Sequence, residues 1–107
     1  MTKEIGGREL MRLRESGEQF QLIDVREPYE AEICSIGGEL IPMGELIARI
    51  AEIRRDIPVV VHCRSGSRSA AVIQALNSRY GFTNLINLKG GILAFAREVD
   101  PSLDCDP

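Results

Sequence analysis

Apolar residues along the chain fall into short blocks separated by polar, helically spaced segments. Phe20-Gln21-Leu22-Ile23-Asp24-Val25, Pro58-Val59-Val60-Val61 and Leu85-Ile86-Asn87-Leu88 are mostly apolar and partly β-branched, which predicts strands. Val59 to Val61 shows no polar alternation, as expected of a central parallel strand covered on both faces. Glu4-Ile5 and Glu39-Leu40-Ile41 are shorter candidates for strands. Helical spacing fills the intervals. Leu10, Met11 and Leu13 lie within Gly7 to Glu15, which ends at the stop signal Ser16-Gly17. Pro28 opens a helical turn through Glu32, because its missing N–H is not needed at a first helical position, and Gly37-Gly38 breaks it. Leu46, Ile47, Ile50 and Ile53 recur at i, i+1, i+4 and i+7 and predict a helix with Glu45, Arg49, Glu52 and Arg55 outside. Val72, Ile73, Leu76 and Tyr80 predict another that ends at Gly81, and Gly90-Gly91 leads into a last helix through Arg97. Strands alternating with helices imply an α/β fold with a parallel sheet, and place ligands at the carboxyl ends of the strands.

Composition narrows the class without altering that picture. A chain of 107 residues with 44% hydrophobic residues supports one domain with a core, expected over 1–107 with flexible ends at 1–3 and 101–107. Thirteen basic against sixteen acidic residues give a net charge of -3, which argues against a nucleic-acid partner and makes any anion site local. Apolar runs are too short for a membrane span and the first residues show no export pattern, so a cytoplasmic protein is expected. Cys34, Cys63 and Cys105 are odd in number and widely spaced, fitting neither a disulfide framework nor a paired metal motif. His62 is the single histidine, so no metal site is expected.

The chemistry concentrates at His62-Cys63-Arg64-Ser65-Gly66-Ser67-Arg68-Ser69, where a strand stops and a helix starts near Arg68. Gly66 relieves the steric limit on φ, and Ser65 and Ser67 let backbone N–H groups turn inward. The resulting cup at a helix N-terminus stabilises an anion or an ionised sulfur, which predicts a lowered thiol pKa and a nucleophilic Cys63. Arg64 and Arg68, with Arg26 from the neighbouring strand end, would add positive charge. Cysteine phosphatases carry five residues between nucleophile and Arg; here four separate Cys63 from Arg68, a smaller cup that suits a single sulfur better than a tetrahedral phosphate.

With those residues in view, the chain resembles a rhodanese-like sulfurtransferase domain. Leu22-Ile23-Asp24-Val25-Arg26-Glu27-Pro28-Tyr29-Glu30 is similar to the family's Asp-Val-Arg segment, His62 to Ser69 to its six-residue active-site loop, and Leu88-Lys89-Gly90-Gly91-Ile92-Leu93-Ala94-Phe95 to its Gly-Gly-x-x-Ala-Trp end. Two departures stand out: Cys34-Ser35-Ile36-Gly37-Gly38-Glu39 replaces the usual Gly-His-Ile-Pro-Gly-Ala, and Phe95 replaces the Trp. The resemblance implies a single domain with a five-stranded parallel sheet flanked by helices on both faces. It also implies a persulfide on Cys63 with no separate cofactor. The stretch from Glu32 to Cys34 and the ending from Ala96 to Leu103 are similar to rhodanese domains fused to adenylating enzymes that activate sulfur-carrier proteins.

The implied reaction moves sulfur from thiosulfate or a protein persulfide to a thiol, cyanide or a sulfur-carrier protein, with an adenylating enzyme as a further partner. Cys63 is the expected nucleophile. Arg64, Ser65, Gly66, Ser67, Arg68 and Ser69 are expected to bind substrate, and Asp24, Arg26 and His62 to support the site. His62 is expected to bond backbone rather than catalyse. Asp24 and Arg26 either organise the site or tie strand ends together. Cys34 and Cys105 receive no role; Cys105 reads as an exposed thiol or a resolving partner. A phosphatase or arsenate reductase of related fold and a non-catalytic binding module are the alternatives.

Overall fold

The structure, a computed structural model, describes residues 3–105. Five parallel strands, β1 (Glu4–Ile5), β2 (Gln21–Asp24), β3 (Glu39–Leu40), β4 (Val59–His62) and β5 (Leu85–Leu88), form one sheet in the order β1-β5-β4-β2-β3. The uninterrupted valines occupy the central strand. Every residue of β2, β4 and β5 is buried, as their run-like sequences require when both faces are covered.

Alternation along β4 divides the core into two layers. Val59 and Val61 point into a cluster with Ile23, Val72, Ile73 and Leu76, while Val60 joins Leu10, Leu22, Leu88, Ile92 and Phe95 on the other face. The first layer is covered by α3 (Ser67–Tyr80), the second by α1 (Gly7–Ser16) and α4 (Gly91–Glu98). A short helix α2 (Pro28–Ile33) follows β2, with Pro28 in its first turn.

Two expectations are corrected. The segment around Leu46 to Ile53 is not a helix but two separate 3-10 turns, Met43–Glu45 and Ile50–Glu52. Arg49 interrupts it with φ -110° and ψ 22° while its guanidinium donates to the Leu40 carbonyl oxygen. Leu46 and Ile53 still reach the core and Ile50 packs against it, but Ile47 is left exposed. Tyr80, placed on the apolar face of α3 by its spacing, is also exposed.

The second correction concerns cysteines. Cys34 and Cys105 form a disulfide that closes 71 residues of sequence. Together with Leu103, Cys105 packs against the cluster containing Leu10 and Phe95, so this part of the tail is fastened to the domain. Residues 1, 2, 106 and 107, part of the ends expected to be flexible, lie outside the described residues.

Candidate active site

Parallel register assembles the site before any loop is considered. Asp24 of β2 is level with His62 of β4, and Val61, one residue earlier, is level with Asn87 of β5. The polar residues at or next to the ends of these strands therefore meet at one edge, and the chain turns there into Cys63 to Gly66 and α3.

Gly66 caps α3 with φ 104°, a left-handed conformation that a side chain rarely adopts. The turn brings the Gly66 N–H to 3.1 Å and the Ser69 N–H to 3.4 Å from the Cys63 Sγ, and the Ser69 Oγ lies 3.3 Å from it. Burial alone would push the Cys63 thiol up. The Ser69 hydroxyl and the N–H groups of Ser69, Gly66 and Arg68 outweigh it, so the thiol lies below its ordinary value. Cys63 is the one free cysteine among the described residues, and it has no exposed surface.

The remaining loop positions divide by direction. Gly66 and Ser69 are buried against the sulfur; Ser65 and Ser67 have exposed side chains, and Arg64 and Arg68 are half-buried. Arg68 is engaged by Glu30 of α2 through two bonds of 2.8 Å each. That bidentate pair, with the Glu27 N–H as a second donor, was not anticipated for Glu30 from the sequence. A cleft of about 310 Å³ beside it is lined by Tyr29, Glu30, Ile33, Arg64 and Cys105.

The Glu30–Arg68 pair has a measurable pH signature. The bond from the Arg68 side chain, against an opposing effect of burial, holds the Glu30 carboxyl down at about 2 from 4.5. The folded state therefore binds fewer protons than the unfolded chain between these values. The contribution is complete above about 4.5 and lost as pH falls towards about 2. Glu30→Gln is expected to flatten the dependence of the urea midpoint on pH across that window. The expected stability cost at neutral pH is about 1 kcal/mol, reduced by solvent screening of the partly exposed guanidinium.

Arg26 does not add free positive charge to the cup. Its guanidinium meets both Asp24 carboxylate oxygens at 2.9 and 2.8 Å, and it donates onward to the carbonyl oxygens of Glu30 and Cys34. Both side chains of the pair are 2% exposed. The pair thus ties the end of β2 to the middle of α2 and to the residue that follows it. His62 is fully buried, with Nδ1 3.4 Å from the Cys63 carbonyl oxygen and Nε2 3.9 Å from Asp24 Oδ2. Burial pushes its pKa down despite the upward pull of Asp24, which favours the neutral ring at pH 7.

From the opposite side, α4 grips the loop. The Ile92 N–H donates to the Cys63 carbonyl oxygen at 3.0 Å and the Leu93 N–H to that of Arg64 at 3.1 Å. Gly91 permits this approach: φ is 63°, and a Cβ there would stand 2.3 Å from the Arg64 carbonyl oxygen. Gly91→Ala is expected to destabilise the fold by roughly 2–3 kcal/mol, combining left-handed strain with an overpacked contact, and to slow any reaction of Cys63. Urea midpoints and Cys63 alkylation rates check both effects. Asn87 completes the surroundings, bonded to Ser69 and Gly66. Its signal in sequence was a polar residue inside the apolar run of β5.

The structure is thus an α/β domain with a buried cysteine, its thiol below the ordinary value, in a loop at the carboxyl edge of a parallel sheet. The chain belongs to the rhodanese-like domain family, whose model matches residues 8–98. It is 37% identical over 98 residues to a sulfurtransferase of Allochromatium vinosum, covering 91% of each chain. It is 36% identical over 99 residues to the probable adenylyltransferase/sulfurtransferase MoeZ of Mycobacterium tuberculosis. That match takes in 90% of this chain but spans only 25% of the length of MoeZ. Among solved structures, a rhodanese-related protein from Thermoplasma volcanium superposes with a TM-score of 0.79 at 32% identity, covering 91% of this chain and 93% of the other.

Proposed function

We propose that this domain is a sulfurtransferase that carries sulfur as a persulfide on Cys63. The observation that carries the reading is the convergence of the Gly66 and Ser69 N–H groups and the Ser69 hydroxyl on one thiol with a lowered pKa. The Cys63 thiolate attacks the outer sulfur of thiosulfate or of a protein persulfide. A sulfur–sulfur bond forms to Cys63 as the donor's own breaks, and sulfite or a thiolate leaves with the electron pair. An acceptor thiolate or cyanide then attacks the terminal sulfur and returns Cys63 as thiolate, so one transfer becomes two easier displacements. Arg64 and the loop N–H groups attract the anionic donor. Arg68 joins them by exchanging its Glu30 contact for the donor. Acceptors extend to a sulfur-carrier protein or an adenylating enzyme, as the names of the fused relatives suggest.

Intact mass spectrometry after incubation with thiosulfate tests this. A gain of one sulfur atom, removed by cyanide, is expected. No gain from thiosulfate or from a desulfurase persulfide, or hydrolysis of an aryl phosphate in its place, overturns the assignment.

A further inference from the structure

We propose that Asn87 is a positioning residue for Cys63 that acts through Ser69, its side-chain carbonyl competing with the sulfur for the single Ser69 hydroxyl proton. The inference rests on the reading of Cys63 as the nucleophile and adds to it a residue outside the loop. Its basis is the orientation of one buried amide. Asn87 is 2% exposed and its Nδ2 donates to the Gly66 carbonyl oxygen at 3.2 Å and to Glu4 Oε2 at 3.3 Å. Two acceptors on that side fix the NH₂ group there and turn Oδ1 towards Ser69. Ser69 Oγ lies 2.6 Å from this oxygen, 3.2 Å from the Gly66 carbonyl oxygen and 3.3 Å from the Cys63 Sγ. One proton faces three acceptors, and Oδ1 is the nearest.

The competition resolves differently in the two states of the sulfur. With Cys63 as a thiol, the Ser69 hydroxyl donates to Asn87 Oδ1 and accepts from the S–H. On ionisation the thiol proton leaves the site and the Ser69 O–H turns to the thiolate, which leaves a buried carbonyl oxygen without its donor. Asn87 thus holds the thiol above the value that the cup alone would set. When the sulfur becomes the neutral inner atom of a persulfide, the hydroxyl returns to Asn87. The amide therefore favours the loaded state over the bare thiolate.

The remaining charged and titratable groups around the pair are Arg64 and Arg68 of the loop, Glu30 of α2 on Arg68, neutral His62 at the end of β4, and Glu4 of β1 on the far side of Asn87. Of these, Glu4 alone is bonded to the Asn87 side chain and loses one donor in a variant; the others keep the partners named above.

The decisive measurement is the pH titration of the Cys63 thiolate by its ultraviolet absorbance, taken as the difference from Cys63→Ala, in the intact 107-residue chain. Asn87→Leu removes the competing acceptor with the same side-chain branching and is expected to lower the midpoint by about one pH unit, or about tenfold more thiolate below it. In a Ser69→Ala background the same substitution is expected to leave the midpoint unmoved. A merely structural Asn87 gives the opposite sign, because a loosened cup raises the thiol. An upward or absent shift in folded Asn87→Leu, or an effect that persists without the Ser69 hydroxyl, overturns the proposal. Asn87→Val, which suits a strand, serves if the Leu variant does not fold, and failure of both assigns Asn87 to the scaffold and overturns it as well. Wild-type protein that shows these shifts yet takes up no sulfur removes the sulfurtransferase reading and leaves this one standing.

Discussion

Cys63→Ala is expected to end sulfur uptake and transfer completely while the domain stays folded. No other cysteine can take over, since Cys34 and Cys105 are joined to each other. The remaining cup would still bind an anion through the N–H groups of Gly66 and Ser69, but without a nucleophile it has nothing to load. The structural cost is small by comparison. Cys63 belongs to the core layer with Val61 and Val72, and loss of one sulfur atom leaves a void worth about 1 kcal/mol. Cys63→Ser keeps most of the volume and separates the two effects. Intact mass after thiosulfate, turnover with cyanide as acceptor and the urea midpoint together check the prediction. Turnover retained in Cys63→Ala would remove Cys63 from the mechanism, whereas lost turnover in an unfolded variant would be resolved by the Ser form.

How much of this was readable before the structure depends on the range of the interaction concerned. β2, β4 and β5 were legible because strands covered on both faces leave a continuous apolar signature in the sequence. The Cys63 loop was legible for a related reason: a helix N-terminus preceded by a glycine-containing turn is a local device, encoded within a few residues. Where apolar spacing could be satisfied in two ways, it misled. Leu46, Ile50 and Ile53 reach the core from two 3-10 turns as well as they would from a helix, and the tether of Arg49 to Leu40 is absent from the local pattern.

Partners distant in sequence were the least legible. Glu30 and Arg68 are 38 positions apart, and neither residue announces the other. The Cys34–Cys105 disulfide is more distant still, and an odd cysteine count concealed it. Asn87 left a trace, a lone amide in an apolar strand, but that trace gains meaning only once the register puts it beside Ser69. Gly91 belonged to a recognised motif, while its physical reason, room for the Arg64 carbonyl oxygen, emerged from the packing of α4 on the loop.

The same long-range logic sets the second large effect, at Arg26. Arg26→Met keeps the length of the side chain but leaves the Asp24 carboxylate buried without its bidentate partner. It also removes donors to the carbonyl oxygens of Glu30 and Cys34. Breaking a buried pair from one side costs about 3–5 kcal/mol, because the stranded charge cannot return to water, and neutral His62 at 3.9 Å offers Asp24 no replacement charge. Urea denaturation is expected to show a loss of that size. Adding Asp24→Asn to Arg26→Met should recover part of it, a coupling that independent sites would lack. The consequence extends to the chemistry, since Arg26 ties β2 to the α2 segment that carries Glu30, and Glu30 holds the Arg68 side chain. A folded Arg26→Met protein is therefore expected to lose the acid-range signature of Glu30 and to react more slowly at Cys63, while an unchanged midpoint would show that the ion pair contributes no more than an apolar contact of the same shape.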